Sequence, residues 1–384
     1  MAVVTSVVWR LARSSIVQLI CALEGVVVAQ KIVAFGVALL VGLFIMFIGM
    51  FIMANEPTKL IEDMRVGFKQ DKFYDASRQR ELLVNFWYPS ASAQPEVLAD
   101  SAVFNGFSAT PNARFDEGLK PLVILSHGSG GSRVSQAWLA TELANQGALV
   151  IALNHPGSTS GDSAAQTNIL AWHRPLDVSF VIESLLRHGA YRHHVDPARI
   201  SVVGHSLGGY TALALGGGRL SQGDYIRYCQ EMPIHPDCAF YQQGGVDLQK
   251  INSARFEASY RDPRVKGVVA IDPAFAGAMN FSDVSSVNDM LVIVPSELSA
   301  EGYDLKGKAL VERNSERMSS ATVEGAHHFS FLQSCKMAGY YLIKLMDEQG
   351  HLLCQREQDT TRAEVHQATV KLTLDYLRAQ GLMN

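Results

Sequence analysis

Apolar and polar positions along the chain fall into three patterns. Near the amino terminus, Ile32 to Ala54 reads IVAFGVALLVGLFIMFIGMFIMA, without a charged residue. As a helix rising about 1.5 Å per residue, this run crosses a hydrocarbon core of about 30 Å. A buried core helix rarely runs so long without a polar face, so residues 32–54 predict an uncleaved transmembrane anchor. The alternative is a signal peptide cleaved near Ala54. Residues 1–31 form a leader, in which Ser15 to Gln30 is apolar but carries Gln18 and Glu24 and fits an interfacial helix. Basic residues flank the span evenly, with Arg10, Arg13 and Lys31 before it and Lys59, Arg65 and Lys69 after it, so charge sets no orientation.

The second pattern begins near Met64, where short apolar runs alternate with amphipathic stretches. Glu81 to Tyr88 is rich in β-formers, and Pro121–Leu125, Ala148–Leu153, Ile200–Val203, Val268–Ile271 and Met290–Val294 are almost wholly apolar. Between them, Arg133 to Gln146 reads as a helix stopped by Gly147, and Pro175 to Arg187 as a helix with one apolar face. Apolar strands separated by helices predict an α/β domain over residues 55–384, with a mostly parallel sheet covered on both faces. The third pattern interrupts the second. Residues 219–263 are polar, aromatic-rich and hold two cysteines, which predicts a cap-like insertion between the fifth and sixth core strands.

Composition narrows the function. The 384 residues carry a net charge of −4, and 18% are charged, which is low for a soluble domain. The apolar excess is concentrated in the first 54 residues and does not recur, which excludes a polytopic transporter. No Lys/Arg stripe is present, which argues against a nucleic-acid partner. Of five cysteines, Cys21 lies in the leader, and the others form two near pairs, Cys229 with Cys238 and Cys335 with Cys354. Such pairing suits disulfides in an oxidising compartment, four unrelated thiols being the alternative.

Gly204-His205-Ser206-Leu207-Gly208, extended by Gly209, carries the chemistry. It follows an apolar strand and opens a helix-like run from Tyr210 to Leu215, which is where a strand-to-helix elbow presents a nucleophilic serine. A serine needs a base, an acid and an oxyanion hole. Asp272 and Glu297 both follow apolar strands and are the candidate acids. His327 and His328, in Gly325-Ala326-His327-His328-Phe329, are the candidate bases. Leu207, after the nucleophile, offers one oxyanion N–H, and the loop His127-Gly128-Ser129 offers the other. His193 and His194 precede the nucleophile's strand and read as surface residues. No cluster has metal-ligand spacing, and no phosphate-cradling or dinucleotide fingerprint is present, so neither metal nor cofactor is expected.

These motifs resemble one family. Asp75-x-Ser77-Arg78, Phe86-Trp87-Tyr88-Pro89, Ser126-His127-Gly128-Ser129-Gly130, Asn154-His155-Pro156-Gly157, the Ser206 motif, Asp272 and His328-Phe329 are together similar to the predicted dienelactone hydrolases allied to platelet-activating factor acetylhydrolase. The likeness runs from about residue 65 to about residue 345. It implies an α/β-hydrolase fold, favours Asp272 over Glu297 and His328 over His327, and maps the second oxyanion donor to Ser129. True dienelactone hydrolases use a cysteine nucleophile. The serine here removes the lactone expectation and keeps ester hydrolysis through an acyl-enzyme, on a small-molecule or lipid ester. Family members often carry an export signal, so the expected location is a membrane-anchored domain facing the periplasm or exterior, or export after cleavage. A lipase, thioesterase or peptidase on the same fold, and a non-catalytic tethered binding protein, are the competing readings. The sequence sets no oligomeric state.

Overall fold

Strands whose residues are buried on both faces need cover on both sides, and the apolar runs build the middle of the sheet for that reason. The structure, a computed structural model, describes residues 66–384 except 93, 188, 282–286, 288, 298–305, 347–349 and 358. The leader and the apolar run at 32–54 lie outside the described residues. Among the described residues, no helix is long and apolar enough to cross a membrane.

The described residues open with the hairpin β1 (Val66–Asp75) and β2 (Arg80–Pro89), then β3 (Glu96–Leu98) and β4 (Phe107–Pro111). Alternation follows, through β5 (Lys120–Ser126), α1 (Ala137–Asn145), β6 (Leu149–Leu153), α2 (His173–Arg187), β7 (Val195–His205) and α3 (Leu207–Gly216). Helices α4 (Gln222–Glu231) and α5 (Pro236–Gln243) lie in the segment 219–263. The chain then forms β8 (Val265–Ile271), β9 (Met290–Pro295), α6 (Gly307–Arg313), β10 (Met318–Val323), α7 (Met337–Met346) and α8 (Arg362–Ala379).

Ten strands make one sheet in the order β10-β9-β8-β7-β5-β6-β2-β1-β4-β3. From β10 to β6 every pairing is parallel, while β2 runs antiparallel to both β6 and β1. Side chains alternate across it. Leu122 and Ile124 of β5 join the core that α2 covers through Val178, Val181 and Ile182. Val123 and Leu125 join the other core, with Leu139 and Leu143 of α1 and Leu374 and Leu377 of α8.

Helix α1 begins at Ala137, later than the Arg133 start read from its periodicity. The residues before it are held by other partners: Ser132 N–H donates to Ser135 Oγ at 2.9 Å, and Arg133 N–H donates to Asn154 Oδ1 at 2.8 Å. Gly147 ends the helix at φ +99°, the left-handed conformation that glycine adopts without a Cβ clash. Disulfides join Cys229 to Cys238, across α4 and α5, and Cys335 to Cys354, on either side of α7.

A buried ionic cluster ties the hairpin to α2. In the β1–β2 turn, Asp75 Oδ1 accepts the Ser77 N–H at 3.0 Å and hydroxyl at 2.6 Å, and Asp75 Oδ2 pairs with Arg78 Nε at 2.6 Å. Arg78 Nη1 reaches Asp177 of α2 at 2.7 Å, and Arg80 grips both Asp177 oxygens at 2.8 Å. His155 Nδ1 donates to Asp177 Oδ2 at 3.0 Å. Burial pushes the Asp177 carboxyl up, but the hydrogen bonds from His155 and Arg80 prevail and hold it well below the usual carboxylate range. Removing one member of a buried charge cluster strands the rest, typically at about 3–5 kcal/mol. Asp177→Ala is therefore expected to lower unfolding free energy by about that amount, read from urea denaturation with the disulfides intact. A change below about 1 kcal/mol would show that the cluster does not hold the hairpin in place.

Candidate active site

The chain leaves β5 through α1 to β6 on one side, and through α2 reaches β7 on the other. The carboxyl ends of β5 and β7 therefore flank a topological switch point, where open α/β sheets form their crevice. Two loops meet there, the His127–Gly131 loop after β5 and the turn after β7.

Ser206 occupies that second turn, between the last residue of β7 and the first of α3. Its φ of 56° and ψ of −119° are unusual for a side chain with a Cβ. The surroundings enforce this conformation. Ser206 N–H donates to Ile271 O at 2.9 Å, and its carbonyl accepts from Tyr210 N–H at 3.1 Å and Ala274 N–H at 3.0 Å. The motif's glycines are needed for contact: a Cβ on Gly204 would lie 2.0 Å from Gly208 O, and one on Gly208 would lie 1.8 Å from Ser126 O.

Asp272 directly follows β8 and also has a positive φ, 40°. Its N–H donates to Ile293 O at 2.7 Å, and its Oδ2 accepts from His328 Nδ1 at 2.6 Å. Both side chains are buried. His328 opens a short 3₁₀ turn beyond β10, and its carbonyl accepts from His205 Nε2 at 3.0 Å. The histidine inside the serine motif thus holds the loop that carries His328. Burial pushes His205 well below the usual imidazole range, so it serves as a neutral donor. The alternates are placed elsewhere. Glu297 is exposed, with its N–H donating to Ala326 O at 2.9 Å. His327 turns away toward Glu357, 3.8 Å distant, and its Nδ1 accepts from Phe329 N–H.

Leu207 begins α3, so its N–H has no acceptor within the helix. In the facing loop, the Gly128 carbonyl accepts from His127 Nδ1 at 2.7 Å and from Gly131 N–H at 3.2 Å. A trans peptide then points the Ser129 N–H the opposite way. A Cβ on Gly128 would lie 3.2 Å from Ser206 Cβ, so this loop passes close to the serine. Arg174 of α2, fully buried, donates to the His127 carbonyl and to Ser158 Oγ from behind.

Another Ser-His-Asp chain is present. Ser126 Oγ lies 3.0 Å from His155 Nε2, and His155 Nδ1 lies 3.0 Å from Asp177 Oδ2. All three residues are 0% exposed, and none lines the cavity at Ser206. A nucleophile sealed from solvent meets no substrate, so this chain is structural. His193 is exposed, while His194 is half-buried and stacks on Phe115 with ring centroids 4.8 Å apart.

Ser206, His328, Leu207 and Ser129 line a cavity of about 370 Å³, within the range of small-molecule sites. The segment 219–263 supplies part of its wall through Pro236, Asp237, Phe240 and Tyr241. Sequence reading missed Asp237 and His205. Burial pushes the Asp237 carboxyl up, and the nearby His235 and His328 oppose that rise. Among the described residues, no group of three or more His, Cys, Asp or Glu side chains could hold a metal.

A family model described as the alpha/beta hydrolase fold matches residues 121–217, from β5 through α3. A ferulic acid esterase from Streptomyces cinnamoneus superposes with a TM-score of 0.51 at 20% identity, over 84% of this chain and 91% of that one. The chain has the α/β-hydrolase fold. The α/β-hydrolase order of serine, acid and histidine along the sequence is met by Ser206, Asp272 and His328. A structure described as a thermophilic esterase of the planctomycete Thermogutta terrifontis, Est2 with butyrate bound, aligns with a TM-score of 0.43 at 11% identity, over 82% of this chain and 95% of that one. No curated protein matches the chain by sequence.

Three histidines behind this α/β-hydrolase site are buried and neutral. Burial pushes His127 and His205 well below the imidazole range and His155 down to about 4. Unfolding restores each to about 6.5, so between about pH 6 and 5 the unfolded chain binds more protons than the folded one. Stability is thus complete above about pH 6.5 and is lost as pH falls, by up to about 4 kcal/mol per pH unit from these three groups. Urea denaturation at pH 7.0 and 5.5, disulfides intact, is expected to show the drop, and equal stabilities would contradict the neutral assignments.

Proposed function

We propose that the protein is a serine hydrolase that cleaves carboxylic esters through an acyl-enzyme. The observation that carries this reading is the 2.6 Å bond from His328 Nδ1 to Asp272, beside the cavity that the positive-φ Ser206 also lines. Ser206 Oγ attacks the ester carbonyl carbon while His328 Nε2 takes its proton. Asp272 holds the Nδ1–H tautomer and stabilises the imidazolium that forms. The Leu207 and Ser129 N–H groups receive the developing oxyanion. The tetrahedral intermediate then expels the alkoxide, which takes the proton from His328. Water, activated by the same histidine, attacks the acyl-serine and releases the acid.

The ester class is supported by the Streptomyces cinnamoneus neighbour, which is itself described as a ferulic acid esterase. The finer kinship, with the hydrolases allied to platelet-activating factor acetylhydrolase, is supported by where the shared segments meet. Asp75 and Arg78 belong to one of the shared motifs and His155 to another, and all three join one ionic cluster behind the oxyanion loop. Membrane anchoring with the catalytic domain outside the cytoplasm is supported by the uncharged run at 32–54 and by the two disulfides.

Ser206→Ala is expected to abolish labelling by a fluorophosphonate probe and to lower kcat for p-nitrophenyl butyrate by about 10⁴–10⁶. In the same assay Asp272→Asn should cost about 10⁴ through the wrong imidazole tautomer, and Glu297→Gln should cost little. Retained labelling in Ser206→Ala, or the reverse ranking of the acids, would overturn the assignment. For the anchor, the full-length chain is expected to stay in the membrane fraction through high-salt and carbonate washes. Release of the intact chain by carbonate would refute the anchor.

A further inference from the structure

Three bonds of the turn from Asp272 to Phe275 bear on the site. The Asp272 side chain holds His328, the Ala274 N–H holds the Ser206 carbonyl, and the Phe275 N–H donates at 2.9 Å to Asp237 Oδ2. The third bond fixes a carboxyl from the cap segment to the backbone that positions the proposed acid and nucleophile. Asp237 is fixed from its other side as well, since the Tyr225 hydroxyl donates to its backbone carbonyl and Cys238 next to it is bridged to Cys229.

This carboxyl is half-buried and lines the cavity among largely apolar walls, with Phe104, Phe240 and Tyr241 nearby on the lining. No lysine or arginine is among the lining residues. One bond from Phe275 does not exhaust a carboxyl group, whose oxygens offer about four acceptor sites. A carboxyl in an apolar wall loses free energy when a ligand displaces its water without replacing the hydrogen bond. A site of this kind discriminates strongly against substrates that lack the matching donor.

We propose, building on the ester-hydrolase reading, that Asp237 is a specificity-determining residue whose carboxyl accepts a hydrogen bond from a hydroxyl close to the scissile carbonyl, so that the substrates are uncharged, hydroxyl-bearing esters. A hydroxyl finds an acceptor whether Asp237 is ionised or protonated. An anionic ester meets Asp237 with no lysine or arginine on the lining to offset it.

Two isosteric pairs test this on the full chain, each exchanging a hydroxyl for a methyl. They are methyl 3-hydroxybutanoate against methyl 3-methylbutanoate, for the acyl side, and 2-hydroxyethyl butanoate against propyl butanoate, for the alcohol side. Acid release in a pH-stat gives kcat/KM. The wild type is expected to prefer the hydroxylated member of at least one pair by about tenfold or more, the worth of one strong hydrogen bond. Asp237→Leu should bring that ratio close to one, and Asp237→Asn should raise monomethyl succinate hydrolysis relative to methyl butanoate. A general disturbance of the cap would slow both members alike and leave the ratio in place. A wild-type ratio near one in both pairs, or a ratio unchanged in Asp237→Leu, overturns the proposal while fluorophosphonate labelling of Ser206 leaves the ester-hydrolase reading standing. No labelling and no hydrolysis of any ester removes both.

Discussion

The carboxylate of Asp177 is the constraint on which the rest of this structure hangs. It is fully buried, and a bare charge there would be untenable. Arg78, Arg80 and His155 resolve that problem, and they come from a hairpin turn, the strand after it and the loop beyond β6. One side chain of α2 thereby fixes both the β1–β2 hairpin and the loop after β6. Three residues earlier on the same helix, and so on the same face, Arg174 holds the His127 carbonyl. The two residues together place the loop after β5 against the sheet, and the close approach of Gly128 to Ser206 follows from that placement.

Much of this architecture is legible in the chain because its causes are local. A strand covered on both faces must be apolar throughout, so β5, β6, β8 and β9 stand out. The elbow is legible for a related reason, since tight contact at Gly204 and Gly208 admits no side chain and leaves a fixed spacing around Ser206. The less visible parts depend on distant partners. Strand β1 alternates buried and exposed residues, and β10 is exposed at its centre, so neither shows as an apolar run. The first turns before α1 follow Asn154, a residue 21 positions further along, and no periodicity reports that. Asp237 is one acid in a polar insertion, and only folding sets it against the turn at Phe275.

Ser126, His155 and Asp177 show why geometry without access is a poor guide to catalysis. Their distances match those asked of a catalytic serine, histidine and acid, yet the set is closed to solvent on every side. The same chemistry that would activate a nucleophile here ties the end of β5 to α2. Burial keeps the His155 imidazole neutral, so its Nε2 accepts the Ser126 hydroxyl proton while its Nδ1 donates. At Ser206, by contrast, strand β7 delivers the side chain past the sheet edge into a cavity.

The two disulfides divide the molecule along a line of another kind. Each has a cysteine adjacent in sequence to a residue of the cavity wall, Cys238 after Asp237 and Cys354 after Leu353, while the elbow and the Asp272–His328 pair are held by strand ends and backbone bonds. The wall is stapled covalently, and the elbow and the Asp272–His328 pair are not. A wall fastened at a few points can exchange its residues between staples without disturbing the strands beneath. Selection for a new substrate would therefore find its raw material in the loops that the cysteines bracket, with the inherited chemistry left untouched.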